Sequence, residues 1–354
     1  MEYNSILIIK MSSLGDVLHT LPFVAVLRER FPKARLTWLV HPQFSAFVPE
    51  PPLVDEVIFF DKVKFHKMGL GEKWSYFRAM RALLHSKKFD LVIDMQGLFK
   101  SAVLAAISGC DNRIGYCEMR EGSGFVSKSI TGKHAKDHVI ERYLDVARYL
   151  GCTVNEIQFP MPDLQKEWQA VQEKTETVKK PYVILVPGAR WETKKWPAEN
   201  FAKLAKMILQ AGRHVVLAGG PEDVPLGKQI AEKVPGVTDL TGKTSLRELG
   251  ALIRHCSAYI SGDTGPLFIA AAMKRPLTAL YGPTCPDRTG PYGSSEATIL
   301  TAPVACAGCL KKQCDYWICM KSITPERVFD EYKTGAHSYK LTGLQYAEQT
   351  GLSS

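Results

Sequence analysis

The sequence predicts an α/β protein built of two Rossmann-like domains that face each other across a cleft. Short β-branched and apolar runs alternate with helical periods along its 354 residues, which is typical of parallel sheets with helices on both faces. A proline-rich and polar stretch interrupts this alternation at residues 159–181. Each half begins with a strand that ends in a glycine-bearing loop. A chain of this length is also too long for one ordinary core.

The first half, assigned to a domain at residues 1–165, alternates strands with amphipathic helices. Apolar runs such as SILIIK and DLVIDM are too short for helices and have the composition of buried strands. The predicted strands are 5–10, 34–40, 55–60, 90–95 and 113–116, and the predicted helices are 16–31, 74–87 and 135–150.

The second half repeats this pattern in a domain predicted at residues 178–333. Residues 334–354 are polar and are predicted to form a tail. The predicted strands are 182–188, 214–220, 237–240, 258–263 and 276–282, and the predicted helices are 198–210, 246–255 and 265–273.

Composition and charge narrow the class of protein. The apolar fraction of 45% and the charged fraction of 23% are those of a soluble globular protein. No signal peptide or membrane-spanning run is visible, so we expect a cytoplasmic location. The net charge of +9 either has no specific cause or predicts an anionic partner. Basic residues are dense at 62–88, where a helix would resemble a membrane-surface helix or one that packs on a sheet.

The segment KMSSLGDVLHTLP, residues 10–22, joins the first strand to a helix. Asp16 stands where a helix N-terminus usually carries a capping carboxylate. Ser12 and Ser13 precede it at the carboxyl end of a strand, where such sheets bind ligands, and His19 lies one turn further along. An ionised aspartate at this edge can also accept a proton from a hydroxyl group. The local pattern therefore leaves two roles for Asp16, helix cap and general base.

The segment PGARWETKKWP follows the first strand of the second half. Arg190, Lys194 and Lys195 precede a helix that opens near Pro197. Cations next to a helix N-terminus suit a diphosphate. The alternative is a solvated basic loop.

Two further loops of the second half suit a nucleotide or a sugar. In SGDTGPL, the residues Asp263, Thr264 and Gly265 turn a strand into a helix, and backbone amides there can approach an anion. In GGPEDVP, the carboxylates of Glu222 and Asp223 have the chemistry to bind a ribose or an amine. An ordinary capped turn is the alternative. No P-loop and no G-x-G-x-x-G motif after the first strand is present.

Four of the nine cysteines are clustered in CAGCLKKQCDYWIC. Four thiols are enough for a tetrahedral zinc site, although the spacing is not that of paired C-x2-C motifs. A structural zinc site and free thiols are therefore both open interpretations. The four residues are Cys306, Cys309, Cys314 and Cys319.

Taken together, these loops resemble the ADP-heptose:lipopolysaccharide heptosyltransferases, which are inverting glycosyltransferases of the GT-B fold. The resemblance covers nearly the whole chain, to about residue 330. It depends on the order of six segments: SSLGDVLHTLP, DMQGLFKSA, HVIER, PGARWETKKWP, SGDTGPL and ALYGPT. Many members have a histidine where this chain has Phe268.

The resemblance implies a role for each candidate residue. It makes Asp16 the catalytic base and Lys194 a ligand of the donor diphosphate. It assigns the first domain to the acceptor and the second to the nucleotide-sugar. The remaining donor-binding residues are Arg190, Glu222, Asp263, Thr264 and Gly265, and the acceptor-binding residues are Ser12, Ser13, His19, Gln96, Lys100 and Arg142.

The resemblance also implies the reaction and the partners. Heptose would pass from ADP-heptose to the Kdo/heptose inner core of lipid A with inversion, as the domains close, and without a catalytic cofactor. The enzyme would be cytoplasmic and attached peripherally to the anionic inner membrane. One alternative is a GT-B enzyme with another nucleotide-sugar donor. The other is a non-enzymatic protein that binds anions or nucleic acid, although no aromatic-interleaved basic motif supports nucleic acid.

Overall fold

The computed structural model describes residues 2–334. The chain divides into two compact units, the first spanning Met1–Pro162 and the second beginning at Asp163. The stretch between the two predicted domains thus forms the start of the second unit, where its helix packs on a later one. The predicted polar tail lies outside the described residues, apart from Thr334 at the end of the last helix.

The first unit is a parallel sheet with helices. Within residues 2–334 its six strands have the order β3-β2-β1-β4-β5-β6. The strands are β1 Ser5–Ile9, β2 Arg35–Val40, β3 Glu56–Phe59, β4 Leu91–Asp94, β5 Arg113–Tyr116 and β6 Lys128–Ile130. The helices are α1 Leu14–Arg30, α2 Lys62–Lys67, α3 Leu70–Ser86, α4 Phe99–Ile107 and α5 Val139–Tyr149.

The second unit has the same topology. Its strands, again within the described range, have the order β12-β11-β10-β7-β8-β9. The strands are β7 Tyr182–Val186, β8 His214–Leu217, β9 Thr238–Asp239, β10 Ala258–Gly262, β11 Leu277–Tyr281 and β12 Ala297–Thr301. The helices are α6 Gln165–Lys174, α7 Ala198–Gln210, α8 Val224–Lys233, α9 Leu246–His255, α10 Gly265–Ala272, α11 Pro286–Thr289, α12 Ile318–Lys321 and α13 Pro325–Thr334.

This strand order fixes where each unit can bind a ligand. In both sheets the first and fourth strands of the unit are neighbours, β1 beside β4 and β7 beside β10. The chain leaves these two strands in opposite directions across the sheet, which opens a crevice at their carboxyl ends. The predicted α/β class with two parallel sheets is confirmed, and each unit presents one such crevice.

The apolar runs form the cores because these central strands are covered on both faces. β4 and β7 are buried along their whole length, as are Ile6–Ile9 of β1. The predictions for α7 and α9 match the observed bounds. Two edge strands, β6 and β12, were not predicted because edge strands do not need a continuous apolar run.

Two helices begin earlier than predicted because capping residues lie upstream of the apolar pattern. α1 begins at Leu14, and its N-cap Ser13 forms a capping box with Asp16. α3 begins at Leu70, where Glu72 accepts a hydrogen bond of 2.8 Å from the Gly69 amide. No helix among residues 2–334 is long and apolar enough to span a membrane.

Candidate functional site

Gln96 joins the two loops that form the crevice of the first unit. Its side-chain oxygen accepts hydrogen bonds from the Met11 amide at 3.0 Å and the Ser12 amide at 3.1 Å. Its amide nitrogen makes no hydrogen bond to the rest of the described chain. The predicted acceptor residue Gln96 therefore fixes the loop after β1 and keeps one donor group free.

Asp94, at the end of β4, organises the second of these loops. Its carboxylate accepts hydrogen bonds from the Gln96 amide at 3.0 Å, the Gly97 amide at 2.9 Å and the Ser101 hydroxyl at 2.9 Å. Burial raises the pKa of Asp94, and these three donors act against that shift. The loop is tight, because a Cβ atom on Gly97 would lie 2.7 Å from the carbonyl oxygen of Glu118.

Asp16 is held at the N-terminus of α1 in a defined orientation. The amide and the hydroxyl of Ser13 both donate to its Oδ2 atom at 2.8 Å. Within residues 2–334 its Oδ1 atom accepts no hydrogen bond, and the side chain is partly exposed between buried neighbours. Asp16 is thus a helix cap with one carboxylate oxygen left for a ligand.

The charge environment keeps Asp16 ionised. Burial alone would raise the pKa of Asp16, but the ammonium group of Lys10 and the hydrogen bonds from Ser13 outweigh that effect and lower it. The positive end of the α1 dipole acts in the same direction. Asp16 therefore has the ionisation state that proton abstraction requires.

Lys10 is a candidate functional residue that the sequence analysis did not predict. It follows directly on β1, is only 2% exposed, and donates to the Met95 carbonyl oxygen at 2.7 Å and the Tyr143 hydroxyl at 2.6 Å. Burial lowers its pKa, and the carboxylates of Asp16 and Asp94 oppose that shift. The available signal was a lysine placed where the pattern predicts a buried position, since buried lysines usually have a paired or catalytic role.

Two predicted acceptor residues contact other side chains of the first unit. Arg142 is 7% exposed, forms an ion pair with Glu118 and donates to the Asp137 carbonyl oxygen at 2.6 Å. His19 is buried, with its ring edge-to-face against His138 at 5.5 Å between centroids. Both residues are therefore buried inside the unit.

The remaining predicted acceptor residues are more accessible. Ser12 and Ser13 are partly exposed in the loop before α1. Lys100 is exposed near the start of α4, with its ammonium nitrogen 3.2 Å from Nε2 of His66. The structure thus brings Ser12, Ser13 and Gln96 together with Asp16.

In the second unit, the loops after β7 and β10 meet through an ion pair. The ammonium of Lys194 lies 2.6 Å from Oδ2 of Asp263 and 4.4 Å from the centre of the Trp191 ring. The loops after β7 and β10 can lie this close only with glycine at position 262, because a Cβ atom there would lie 2.8 Å from the Lys194 carbonyl oxygen. Lys194 and Asp263 were predicted separately, and the fold places them in contact.

The start of α10 provides donors for an anion beside this ion pair. Thr264 is the N-cap residue, but its side chain makes no capping hydrogen bond. Gly265 and Pro266 form the first turn, and all three residues are partly exposed. Pro266 has no N–H group and the Leu267 amide donates to the Thr264 carbonyl oxygen at 3.1 Å, so the Gly265 amide, the Thr264 hydroxyl and the helix dipole are what favour a phosphate at this position.

The two other predicted donor residues are exposed, and their neighbour Asp223 is not. Arg190 has no side-chain partner in the described part of the chain, and Glu222 lies on a short turn after β8. Asp223 is buried against the glycines of both loops, and a Cβ atom on Gly188 would lie 1.9 Å from its Oδ1. Burial raises the pKa of Asp223. Asp223 therefore joins the two loops, and Glu222 is the carboxylate that faces solvent.

The cysteine cluster does not have the arrangement of a metal site. Cys306 and Cys309 are exposed, Cys314 is partly buried and Cys319 is buried. Across residues 2–334, no group of three or more His, Cys, Asp or Glu side chains is placed to hold a metal ion. As placed in the structure, the four thiols do not fit a tetrahedral zinc site.

Comparison with known proteins identifies the family. The family model "Glycosyltransferase family 9 (heptosyltransferase)" matches residues 77–318. The chain is 30% identical to lipopolysaccharide heptosyltransferase 2 of Escherichia coli K12, with 92% of this chain and 97% of the relative covered.

Solved structures agree with this match. A glycosyltransferase family 9 protein from Veillonella parvula has a TM-score of 0.83 at 25% identity, covering 95% of this chain and 98% of the other. E. coli heptosyltransferase WaaC with ADP-2-deoxy-2-fluoro heptose has a TM-score of 0.74 at 25% identity, covering 94% and 100%. The resemblance predicted from the six segments is confirmed. The chain belongs to glycosyltransferase family 9, the heptosyltransferases, and is a glycosyltransferase.

Proposed function

We propose that this enzyme transfers L-glycero-D-manno-heptose from ADP-heptose to the Kdo/heptose inner core of lipopolysaccharide, with inversion at the anomeric carbon. The observation that carries the proposal is the side chain of Asp16, which Ser13 holds through Oδ2, while Oδ1 accepts no hydrogen bond from residues 2–334. The names of the relatives support lipopolysaccharide as the acceptor.

The second unit would bind the donor. Lys194 and the N-terminus of α10 offer fixed positive charge for a diphosphate, and the Thr264 hydroxyl and the exposed Arg190 add donors. Glu222, exposed at the end of β8, has the position for a ribose hydroxyl. The WaaC structure with an ADP-heptose analogue supports ADP as the nucleotide.

In the proposed reaction, an acceptor hydroxyl oxygen attacks the anomeric carbon of the donor heptose. Asp16 takes the hydroxyl proton as the new C–O bond forms. The bond between the anomeric carbon and the β-phosphate oxygen breaks on the opposite face, so the configuration inverts and ADP leaves with the electron pair. Lys194 and the α10 dipole stabilise the negative charge that develops on the diphosphate.

The same fixed charges lead us to propose a reaction that needs no metal cofactor. Cations and amides already supply the stabilisation that a divalent ion gives in other transferases. The acceptor is an anionic membrane lipid, and the chain carries a net charge of +9. We therefore propose a cytoplasmic enzyme that attaches peripherally to the anionic inner membrane and has no nucleic-acid partner.

Incubation with ADP-heptose and either Kdo-lipid A or its heptosylated form tests this function. We expect mass spectrometry to show the addition of one heptose to one of the two acceptors, with activity retained in a metal chelator. ADP should raise the melting temperature more than UDP or GDP at the same concentration, because a ligand with a lower Kd for the folded state stabilises it more. Preference for UDP or GDP would favour another nucleotide-sugar donor, and salt-sensitive nucleic-acid binding without transfer would favour the non-enzymatic alternative.

Lys10→Met tests whether the buried ammonium sets the ionisation of Asp16. Without that charge the pKa of Asp16 should rise, so the acid limb of the kcat/KM profile should move to higher pH. Methionine fills a similar volume but leaves the buried Met95 carbonyl oxygen without its donor, so we also expect a loss of stability of about 1–3 kcal/mol, which thermal unfolding measures separately. Tyr143→Phe is the matched control, because it removes one hydrogen bond to Lys10 and keeps the charge. An unchanged acid limb in Lys10→Met would contradict the coupling.

A further inference from the structure

One surface of the first unit carries exposed apolar side chains that its core does not use. The side chain of Leu70 is 87% exposed and that of Trp74 is 64% exposed, both in the first part of α3, and Val63 of α2 is 48% exposed. Scattered exposed apolar residues are normal, but a leucine and a tryptophan four residues apart lie side by side on one helix face. We call the solvent face of α2 and α3 the α2–α3 surface.

The buried side of α3 shows that this apolar pair is not part of the core. Met80 and Leu84 are the buried residues of the helix, and Tyr76 packs against Phe65 of α2 at 5.8 Å between ring centroids. At about 100° per residue, Leu70 and Trp74 lie about 80° and 120° around the helix from Met80, beside the buried side and exposed to solvent. The hydrophobic core of the first unit therefore does not include Leu70 and Trp74.

The same helix face continues with positive charge. Arg78 and Arg81 are exposed and follow Trp74 by one and two turns. Residues 62–88 contain eight lysines and arginines against one acidic residue, Glu72, while the net charge of the whole chain is +9. Six of these eight cations lie within α2 and α3, so the two helices together carry a net charge of +5.

We propose that the α2–α3 surface docks on an anionic phospholipid bilayer, with Leu70 and Trp74 inserted at the headgroup level and the basic residues on the lipid phosphates. This inference rests on the proposed function in one respect, namely that the acceptor is a membrane lipid. Tryptophan favours the membrane interface, and basic residues beside an apolar helix face bind anionic lipid. A second copy of the chain fits poorly, because a symmetric contact would bring this positive surface against itself.

Co-sedimentation of the full chain with vesicles that contain no acceptor tests the surface directly. The vesicles are phosphatidylcholine with or without phosphatidylglycerol, at low and at high salt. We expect binding that requires phosphatidylglycerol and weakens with salt. Leu70→Ser/Trp74→Ser should lower the partition coefficient by about tenfold or more, from the apolar area lost. Arg78→Glu/Arg81→Glu should lower it by about fivefold or more for each charge lost.

Matched controls come from the second unit. Lys203 and Lys206 are exposed on α7 with the spacing of Arg78 and Arg81, so Lys203→Glu/Lys206→Glu makes the same charge change. Tyr316 is 83% exposed, and Tyr316→Ser removes an aromatic side chain. Equal loss of binding in test and control variants would overturn the assignment to the α2–α3 surface. So would a shift of oligomeric state by Trp74→Ser in light scattering without any effect on vesicle binding.

Activity on a soluble, delipidated acceptor separates this inference from the proposed function. The α2–α3 variants should transfer heptose to the soluble acceptor at the wild-type rate and to vesicle-embedded acceptor more slowly. Wild-type transfer to the soluble acceptor without vesicle binding would overturn the surface and leave the function intact. Vesicle binding without any transfer would overturn the function and leave the surface intact.

Discussion

Asp16→Asn lowers kcat by about 10²–10⁴-fold, if Asp16 is the general base, since that is the usual contribution of a positioned proton acceptor. Asparagine keeps the shape of the side chain and can still accept the hydrogen bonds from Ser13, so α1 should stay capped. In the proposed function the donor binds to the other unit, so its affinity should be unchanged. Single-turnover transfer assays and calorimetry with ADP measure the two quantities separately.

Ser13→Ala is the matched control for Asp16→Asn. It removes the hydroxyl donor but leaves the carboxylate and the amide of residue 13 in place. We expect a loss of stability of about 0.5–2 kcal/mol, as for other N-cap substitutions, with a much smaller loss of kcat. If Asp16→Asn turns over within a few-fold of wild type, Asp16 is only a helix cap.

The lowered pKa of Asp16 determines in which direction kcat/KM and stability change with pH. The base must be ionised, so kcat/KM should stay level on the acid side until the pH approaches values below the usual aspartate range. The same shift stabilises the fold: the contribution is present above the unfolded pKa and is lost as the pH falls through the folded pKa. Asp16→Asn should therefore lose less stability on acidification than wild type.

If Lys194 binds the donor diphosphate as proposed, Lys194→Ala weakens ADP binding by about 10- to 100-fold, because it removes a charged hydrogen-bond donor. It also leaves Asp263, which is 7% exposed, without its cation. We expect a loss of stability of about 1–3 kcal/mol from that unsatisfied carboxylate. Calorimetry with ADP and thermal unfolding in its absence measure the two effects.

Two variants separate the contribution of Lys194 to ADP affinity from its contribution to the stability of the fold. Lys195→Ala removes the neighbouring lysine, which pairs with the exposed Glu192 at 2.5 Å, and should change ADP affinity little. Lys194→Ala/Asp263→Asn removes the unpaired charge and should regain stability while ADP binding stays weak. Recovery of ADP affinity in this double variant would show that Lys194 acts only by supporting the loop.

The local features of the site could be predicted from the sequence because they depend on residues that are neighbours along the chain. The position of Asp16 at a helix N-terminus follows from the serines before it and the apolar period after it. The glycines at 262 and 265 mark the strand-to-helix turn after β10 for the same reason. Buried parallel strands are continuous apolar runs, so the α/β class was readable as well.

The burial and pairing of the charged groups were decided by the tertiary structure. Lys10 and Tyr143 are 133 residues apart in sequence, and Lys194 and Asp263 are 69 residues apart. No local pattern joins such pairs, since they meet only because β1 lies beside β4, β7 lies beside β10, and helices cover the sheets. Sequence alone therefore determined which residues stand at strand ends and helix starts. Strand order determined which of them share a crevice, and with it the lowered pKa that keeps Asp16 ionised.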